Sequence, residues 1–168
     1  MLNIKNISLE ILNQPLKIYG TIKNNSETDI HVTADKLLIK GLVAAAGQVQ
    51  LLKENNFNSG SVSLDAALKG KLTSLIPTVN FSINDLNIKN MPTDTQITMP
   101  IASFTLNSID NKFIGNINTN NINILNPLAT ISVPNTNIEI NEQDITIKEA
   151  YMLLNQSRID IIGKIANY

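Results

Sequence analysis

The chain of 168 residues contains no cysteine, no tryptophan and a single histidine. The absence of cysteine excludes disulfides and thiol chemistry, and it leaves only carboxylates and one imidazole as strong metal ligands. The acidic residues are scattered, without the loop or helix spacing of a zinc or calcium site. We therefore expect neither a metal nor a cofactor.

An excess of charge of one sign is also lacking, since 13 basic residues stand against 14 acidic ones. Without a basic cluster, nothing favours binding to nucleic acid or to an anionic lipid surface. The longest apolar run is the short LVAAAG at 42–47, and the first twenty residues lack the apolar core of a signal peptide. We expect any membrane anchor or targeting segment to lie outside this chain.

Catalytic motifs are absent as well. The sequence has neither a G-x-S-x-G elbow nor a phosphate-binding glycine loop, so His31 has no recognisable catalytic partner. We expect His31 to be an ordinary exposed strand residue and the protein not to be an enzyme.

What the chain does have is a recurring frame of five residues, apolar-x-Gly-x-apolar. Side chains alternate between the two faces of a strand, so each glycine shares a face with its apolar neighbours. On that face, glycine permits sharp coiling of a sheet or leaves space for a bound chain. Six of the seven glycines occupy the frame: Gly20, Gly41, Gly47, Gly70, Gly115 and Gly163.

Alternating segments separated by asparagine-rich turns predict an all-β, mainly antiparallel fold over 1–168 as one unit. Residues 42–54 (LVAAAGQVQLLKE) also fit an amphipathic helix, but Gly47 and the glycine frame favour a strand there. The predicted strands are 2–11, 15–23, 30–40, 43–53, 61–69, 71–76, 78–88, 95–106, 112–118, 121–125, 129–133, 136–141, 143–148, 150–155 and 157–166.

These strands have one aliphatic face and one face of Asn, Thr, Ser, Lys and Asp. Because no catalytic site is visible, the aliphatic face is the candidate working surface. Its predicted lining residues are Ile18, Ile22, Val62, Leu64, Leu68, Val79, Phe81, Ile83, Phe113, Ile117, Ile138, Ile140, Ile145, Ile147, Ile161 and Ile165, with the glycines Gly20, Gly70, Gly115 and Gly163.

Two longer stretches carry a recognisable strand pattern. Residues 60–90 (GSVSLDAALKGKLTSLIPTVNFSINDLNIKN) follow the pattern G-s-l-s-l-d-a-x-l-x-G, then p-x-v-x-f-x-l-x-d. Residues 135–168 end in l-l-x-x-S-x-i-x-i-x-G-x-i-x-N-y. Both patterns resemble AsmA-like proteins, the group that includes AsmA, TamB and YhdP. The matching positions at the end are Ser157, Ile159, Ile161, Gly163, Ile165, Asn167 and Tyr168.

The resemblance implies a middle-to-late segment of a bacterial bridge-like lipid transfer protein. Such proteins have an inner-membrane anchor followed by a U-shaped antiparallel β groove across the periplasm. The groove's apolar lining carries phospholipid acyl chains towards the outer membrane and so supports the biogenesis of that membrane. The implied partner is phospholipid, and the implied location is the periplasm, with an anchor outside this chain.

The same alternation also fits the core of a β-sandwich or a β-solenoid. The corresponding function is a structural repeat module of a surface or adhesin-type protein. A solenoid favours equal repeat lengths, whereas the glycine spacings of this chain are irregular.

Overall fold

A computed structural model describes residues 2–11, 14–23, 27–71, 73–109 and 112–166. Leu72, Asn167 and Tyr168, which the sequence patterns include, lie outside the described residues. The described chain contains eleven strands: β1 Leu2–Ile11, β2 Gln14–Ile22, β3 Glu27–Leu38, β4 Asn55–Lys71, β5 Ser74–Asn90, β6 Thr95–Ile109, β7 Lys112–Asn126, β8 Ala129–Asn141, β9 Asp144–Leu154, β10 Ser157–Asp160 and β11 Gly163–Ala166.

All eleven strands belong to one antiparallel sheet. Strands β1 to β10 pair in chain order, and β11 pairs with β9 beyond the end of β10. The sheet is not closed, because β1 lies at one edge and β10 with β11 at the other. The all-β, antiparallel prediction is confirmed. The single sheet corresponds to neither the two sheets of a sandwich nor the coils of a solenoid.

Little of the described chain is buried. Its buried apolar side chains are Ala34 and Leu37 alone. The solvent-accessible area is 10596 Å², whereas a compact protein of 18.4 kDa exposes about 8,200 Å². The excess area and the small core show that the sheet lacks a second packed layer.

The predicted strand at 43–53 is wrong, because helices α1 (Ile39–Ala45) and α2 (Val49–Glu54) join β3 to β4. The helix-forming alanine, leucine, glutamine and lysine residues determine the local structure here. Gly47 has a φ of +70°, and its N–H donates to the Ala44 carbonyl at 3.0 Å. This glycine therefore ends a helix instead of interrupting a strand, and Gly41 lies within α1.

Asparagine side chains form hydrogen bonds in several hairpin turns, as the turn propensity of asparagine predicts. Asn90 Oδ1 accepts a hydrogen bond from the Thr93 N–H at 3.1 Å, and Asn141 Oδ1 accepts from the Asp144 N–H at 2.9 Å. Between β9 and β10, Asn155 and Gln156 have φ angles of +45° and +76°. Two such residues are the signature of a tight two-residue hairpin.

Three pairs of predicted strands correspond to single strands of the structure. Residues 112–118 and 121–125 both belong to β7, and 129–133 and 136–141 both belong to β8. The third pair, 143–148 and 150–155, corresponds to β9. Residues with positive φ or without a backbone N–H face one another across the sheet, and we call this set of residues the crease row. Its members are Gly60, Asp85, Pro100, Asn121 and Pro134, one on each strand from β4 to β8.

Candidate functional site

The strand register aligns apolar residues in rows that run across the strands. Directly opposed residues of antiparallel neighbours point to the same face. The longest row runs from β1 to β11 and contains no polar side chain. Its members are Ile7, Ile18, Val32, Ala66, Val79, Leu106, Gly115, Ile140, Ile145 and Ile165.

Three neighbouring rows lie on the same face, which we call the apolar face. One consists of Ala34, Leu64, Phe81, Phe104, Ile117, Ile138, Ile147 and Gly163. A second consists of Ile4, Gly20, Ile30, Leu68 and Pro77. The third consists of Leu37, Val62, Ile83, Ala102, Thr119, Thr136 and Ala150. Only its two threonines are polar.

The register places all sixteen predicted lining residues and all four predicted glycines on this face. Most are members of the four rows. Ile22 and Gly70 both oppose Thr28, and Phe113 lies two residues before Gly115 on β7. Ile161 donates its N–H to the Ala150 carbonyl at 2.9 Å, which aligns it with the third of the neighbouring rows.

The sequence prediction missed several members of the apolar face, among them Val32, Phe104 and Leu106. Their strands show the same alternation, at Ile30, Val32 and Ala34 and at Ala102, Phe104 and Leu106. Applying the period-two rule to those strands as well would have identified them.

The glycines of the apolar face serve different geometries. A Cβ at Gly20 would lie 2.0 Å from the Asp29 carbonyl oxygen, so this glycine allows a close approach of two backbones. At Gly115, a Cβ would meet Phe104 Cε2 at 3.4 Å and Ile140 Cβ at 3.6 Å. Neighbouring side chains therefore occupy much of the space above Gly115. At Gly163 the nearest atom is Ile147 Cδ1 at 3.8 Å, so the face is more open there.

A depression of about 310 Å³ lies at the rim of the apolar face, near the turn between β8 and β9. Leu106 and Ile140 of its lining belong to the longest row, Pro77 belongs to the row of Ile4, and the polar lining comes from the turn. The lining residues are Pro77, Leu106, Phe113, Ile140, Asn141 and Glu142.

The opposite, polar face holds the ion pairs of the sheet. Lys148 pairs with Glu139, Lys164 Nζ lies 2.9 Å from Asp144 Oδ2, and Lys69 Nζ lies 3.9 Å from Asp29 Oδ1. At the β9–β10 hairpin, the Arg158 guanidinium lies 4.2 Å from the Tyr151 ring centroid. Its hydrogen bond to Asp160 raises the pKa of Arg158 above its ordinary value.

The polar face also carries amide and hydroxyl ladders. One row consists of Ser63, Ser82, Ser103, Asn118, Asn137 and Glu149. Within it, Asn137 Nδ2 donates to Asn118 Oδ1 at 2.6 Å. Cross-strand bonds of this kind hold the register without covering the face.

His31 also lies on the polar face, but it is less exposed than predicted. Its ring stacks on Tyr19 with centroids 5.1 Å apart, and its Nε2 lies 2.9 Å from Asp29 Oδ1. The side chain is 27 % exposed. The cluster is explained by cross-strand packing, since Tyr19 and His31 are directly opposed.

Among the residues that the structure describes, no group of three His, Cys, Asp or Glu side chains is placed to hold a metal ion. Neither of the two described helices is long and apolar enough to cross a bilayer.

No protein-family model, curated protein or solved structure shows significant similarity to this chain. The AsmA-like resemblance consequently stays a prediction from the sequence.

Proposed function

We propose that the chain binds phospholipid acyl chains on its apolar face and forms a lipid-conducting segment of an AsmA-like protein. The observation that carries the proposal is the set of uncharged rows that crosses the sheet from β1 to β11. The described chain has no second layer that covers this surface, and a continuous apolar patch of this extent is unusual on a soluble monomer.

The dimensions of the rows suit an acyl chain. Strands lie about 4.8 Å apart, so nine spacings give a strip about 43 Å long. One leaflet of a bilayer offers about 15 Å of hydrocarbon depth. The strip is therefore long enough for a chain to occupy successive positions along it.

The energetics favour binding with easy movement. Each buried CH₂ contributes about 0.8 kcal/mol, so a tail of about 16 carbons gains on the order of 10 kcal/mol relative to water. Aliphatic rows without a fixed charge offer similar surroundings at each position. No position therefore binds an acyl chain much more tightly than its neighbours do. In the AsmA-like setting, the segment lies in the periplasm, conducts lipid between the inner and outer membranes, and is anchored through a segment outside this chain.

The test is native mass spectrometry of the purified protein after incubation with phosphatidylethanolamine and phosphatidylglycerol vesicles. We expect bound phospholipid on the parent protein and a loss of at least tenfold in occupancy for Ile138→Asp and Leu64→Glu. Both substitutions place a carboxylate among the acyl chains, where burial of a charge is costly.

Ser103→Asp is the matched control, because Ser103 lies on the polar face and the two residues opposed to it, Ser82 and Asn118, are uncharged. It should bind lipid as the parent does. A folded parent protein without bound phospholipid would contradict the proposal, as would equal occupancy in Ile138→Asp and Ser103→Asp. The alternative function, a structural module, predicts these results.

A further inference from the structure

The crease row coincides with a change of phase in the hydrophobic pattern. On β5, the apolar residues before the row include Ile83, whereas Leu86 and Ile88 follow it at even positions. On β7, the phase changes from Ile117 to Ile122. With strict alternation, one side of the row would turn its apolar residues to the polar face.

From β5 to β8 the register remains constant through this change, whereas the pairs β4–β5 and β8–β9 have register shifts beside the row. Asn84 opposes Ile101 and Leu86 opposes Met99, with Asp85 and Pro100 between them. Likewise, Asn120 opposes Asn135 and Ile122 opposes Val133, with Asn121 and Pro134 between them. Between β5 and β8, the change of phase therefore occurs within each strand, at the crease row, and not by slippage between strands.

Two kinds of backbone irregularity alternate from strand to strand along the crease row. Asp85 and Asn121 have φ angles of +52° and +50°, which residues with a side chain rarely adopt. The strands beside them carry Pro100 and Pro134, which lack the N–H of a regular ladder. A left-handed residue in a strand bends it and redirects the side chains that follow.

Side chains satisfy the carbonyl groups at both left-handed positions. Ser59 Oγ donates to the Asp85 carbonyl at 2.6 Å, and Asn123 Nδ2 donates to the Asn121 carbonyl at 3.2 Å. The interruption of the ladder is thus accompanied by replacement hydrogen bonds on two separate strands. Because the same hydrogen bonding occurs on two strands, the crease row is a regular feature of the fold and not an isolated irregularity.

We propose that the crease row is the line along which the sheet bends into two walls, with the apolar residues of both walls turned inwards. The row runs across the strands, parallel to the apolar rows, so a bend there forms a trough along the direction of those rows. If the proposed lipid function holds, on which this last step rests, the crease row sets the width of the trough and the number of acyl chains that lie side by side.

The chain has no cysteine, so pairs of spin labels can be introduced without removing native thiols. Asn107→Cys and Leu125→Cys place labels on exposed residues at opposite sides of the crease row. Asn107 opposes Ile114, and Leu125 lies eleven residues further along β7. In a flat sheet this separation is about 36 Å, so electron–electron resonance distances in the lipid-free protein report the bend.

We expect the parent distance distribution to centre below the flat value. Asn121→Val should move it towards the flat value or broaden it, because a β-branched residue disfavours positive φ. Asn121→Gly, which accepts that φ, should match the parent. Asn116→Val is the matched control on the same strand, at a position without positive φ, and should also match the parent.

Pro100→Ala provides a second variant on the neighbouring strand if Asn121→Val loses its β-sheet circular dichroism, and the same direction of change is expected. A parent distance at the flat value, or an unchanged distance in both crease variants, would overturn the proposal.

Native mass spectrometry of the same samples tests the link to lipid. We expect lower lipid occupancy in Asn121→Val and parental occupancy in Asn121→Gly. Unchanged occupancy despite an altered distance would overturn the role of the row in setting trough width. A parent protein without lipid would contradict the proposed function alone, because the distances would still show whether the sheet bends at the row.

Discussion

The two faces of this sheet are built from the same strands, yet they differ in what stabilises them. The polar face joins its strands by ion pairs and amide hydrogen bonds, such as Lys164 with Asp144 and Asn137 with Asn118. The apolar face has rows of aliphatic side chains and only a minimal buried core. Side-chain bonds therefore join the strands on the polar face, whereas the apolar face keeps exposed aliphatic surface that is available to a ligand.

The largest expected effect comes from placing the same charge on each face in turn. Phe104 and Thr105 are adjacent on β6 and point to opposite faces. Phe104→Asp should lower the free energy of unfolding by about 3 kcal/mol, because it removes a large apolar contact and partly buries a carboxylate. Thr105→Asp should change it by less than about 0.5 kcal/mol.

Urea unfolding followed by circular dichroism measures both variants. Equal losses for Phe104→Asp and Thr105→Asp would show that the two faces do not differ in their tolerance of charge, and would remove the contrast between them.

A smaller effect should separate two glycines within the apolar face. Gly20→Ala forces a Cβ against the Asp29 carbonyl and has an unfavourable φ of +149°. We expect a loss of about 2 kcal/mol. Gly163→Ala meets only Ile147 Cδ1 at 3.8 Å, so its stability should stay within about 0.5 kcal/mol of the parent.

Thermal unfolding of the two alanine variants tests this difference. Similar midpoints would mean that the backbones of β2 and β3 separate at little cost, and that Gly20 is not required for their close approach.

The sequence predicted the strands and the two faces well because both follow from period-two alternation. It failed at 43–53, where alternation and helical spacing overlap and alanine-rich composition decides for α1 and α2. It also divided β7 and β8 at residues that lie close to Asn121 and Pro134. When only the sequence is known, a change of phase in the alternation resembles the end of a strand. Only the pairing with neighbouring strands identifies it as the crease row.

The membership of the apolar face could be predicted residue by residue, as Ile138 and Ile147 illustrate, because each strand reports its own alternation. The alignment of these residues into rows could not. It depends on register, which the hairpin turns and bulges set through contacts between distant residues, such as Thr136 with Ala150.

The smallest expected effect concerns the ion pairs of the polar face. Lys164 and Asp144 join β11 to β9, with 57 % and 21 % of their side chains exposed. A double-mutant cycle of Lys164→Ala and Asp144→Ala should give a coupling of about 0.5 kcal/mol at low salt, since water screens exposed pairs. At about 1 M salt, where the screening length is near 3 Å, the coupling should approach zero. A coupling that persists at high salt would mean that this pair holds the sheet edge more firmly than its exposure implies. The ion pair on the polar face would then contribute more to the order of β11 than the apolar pair of Ile165 on β11 and Ile145 on β9 does.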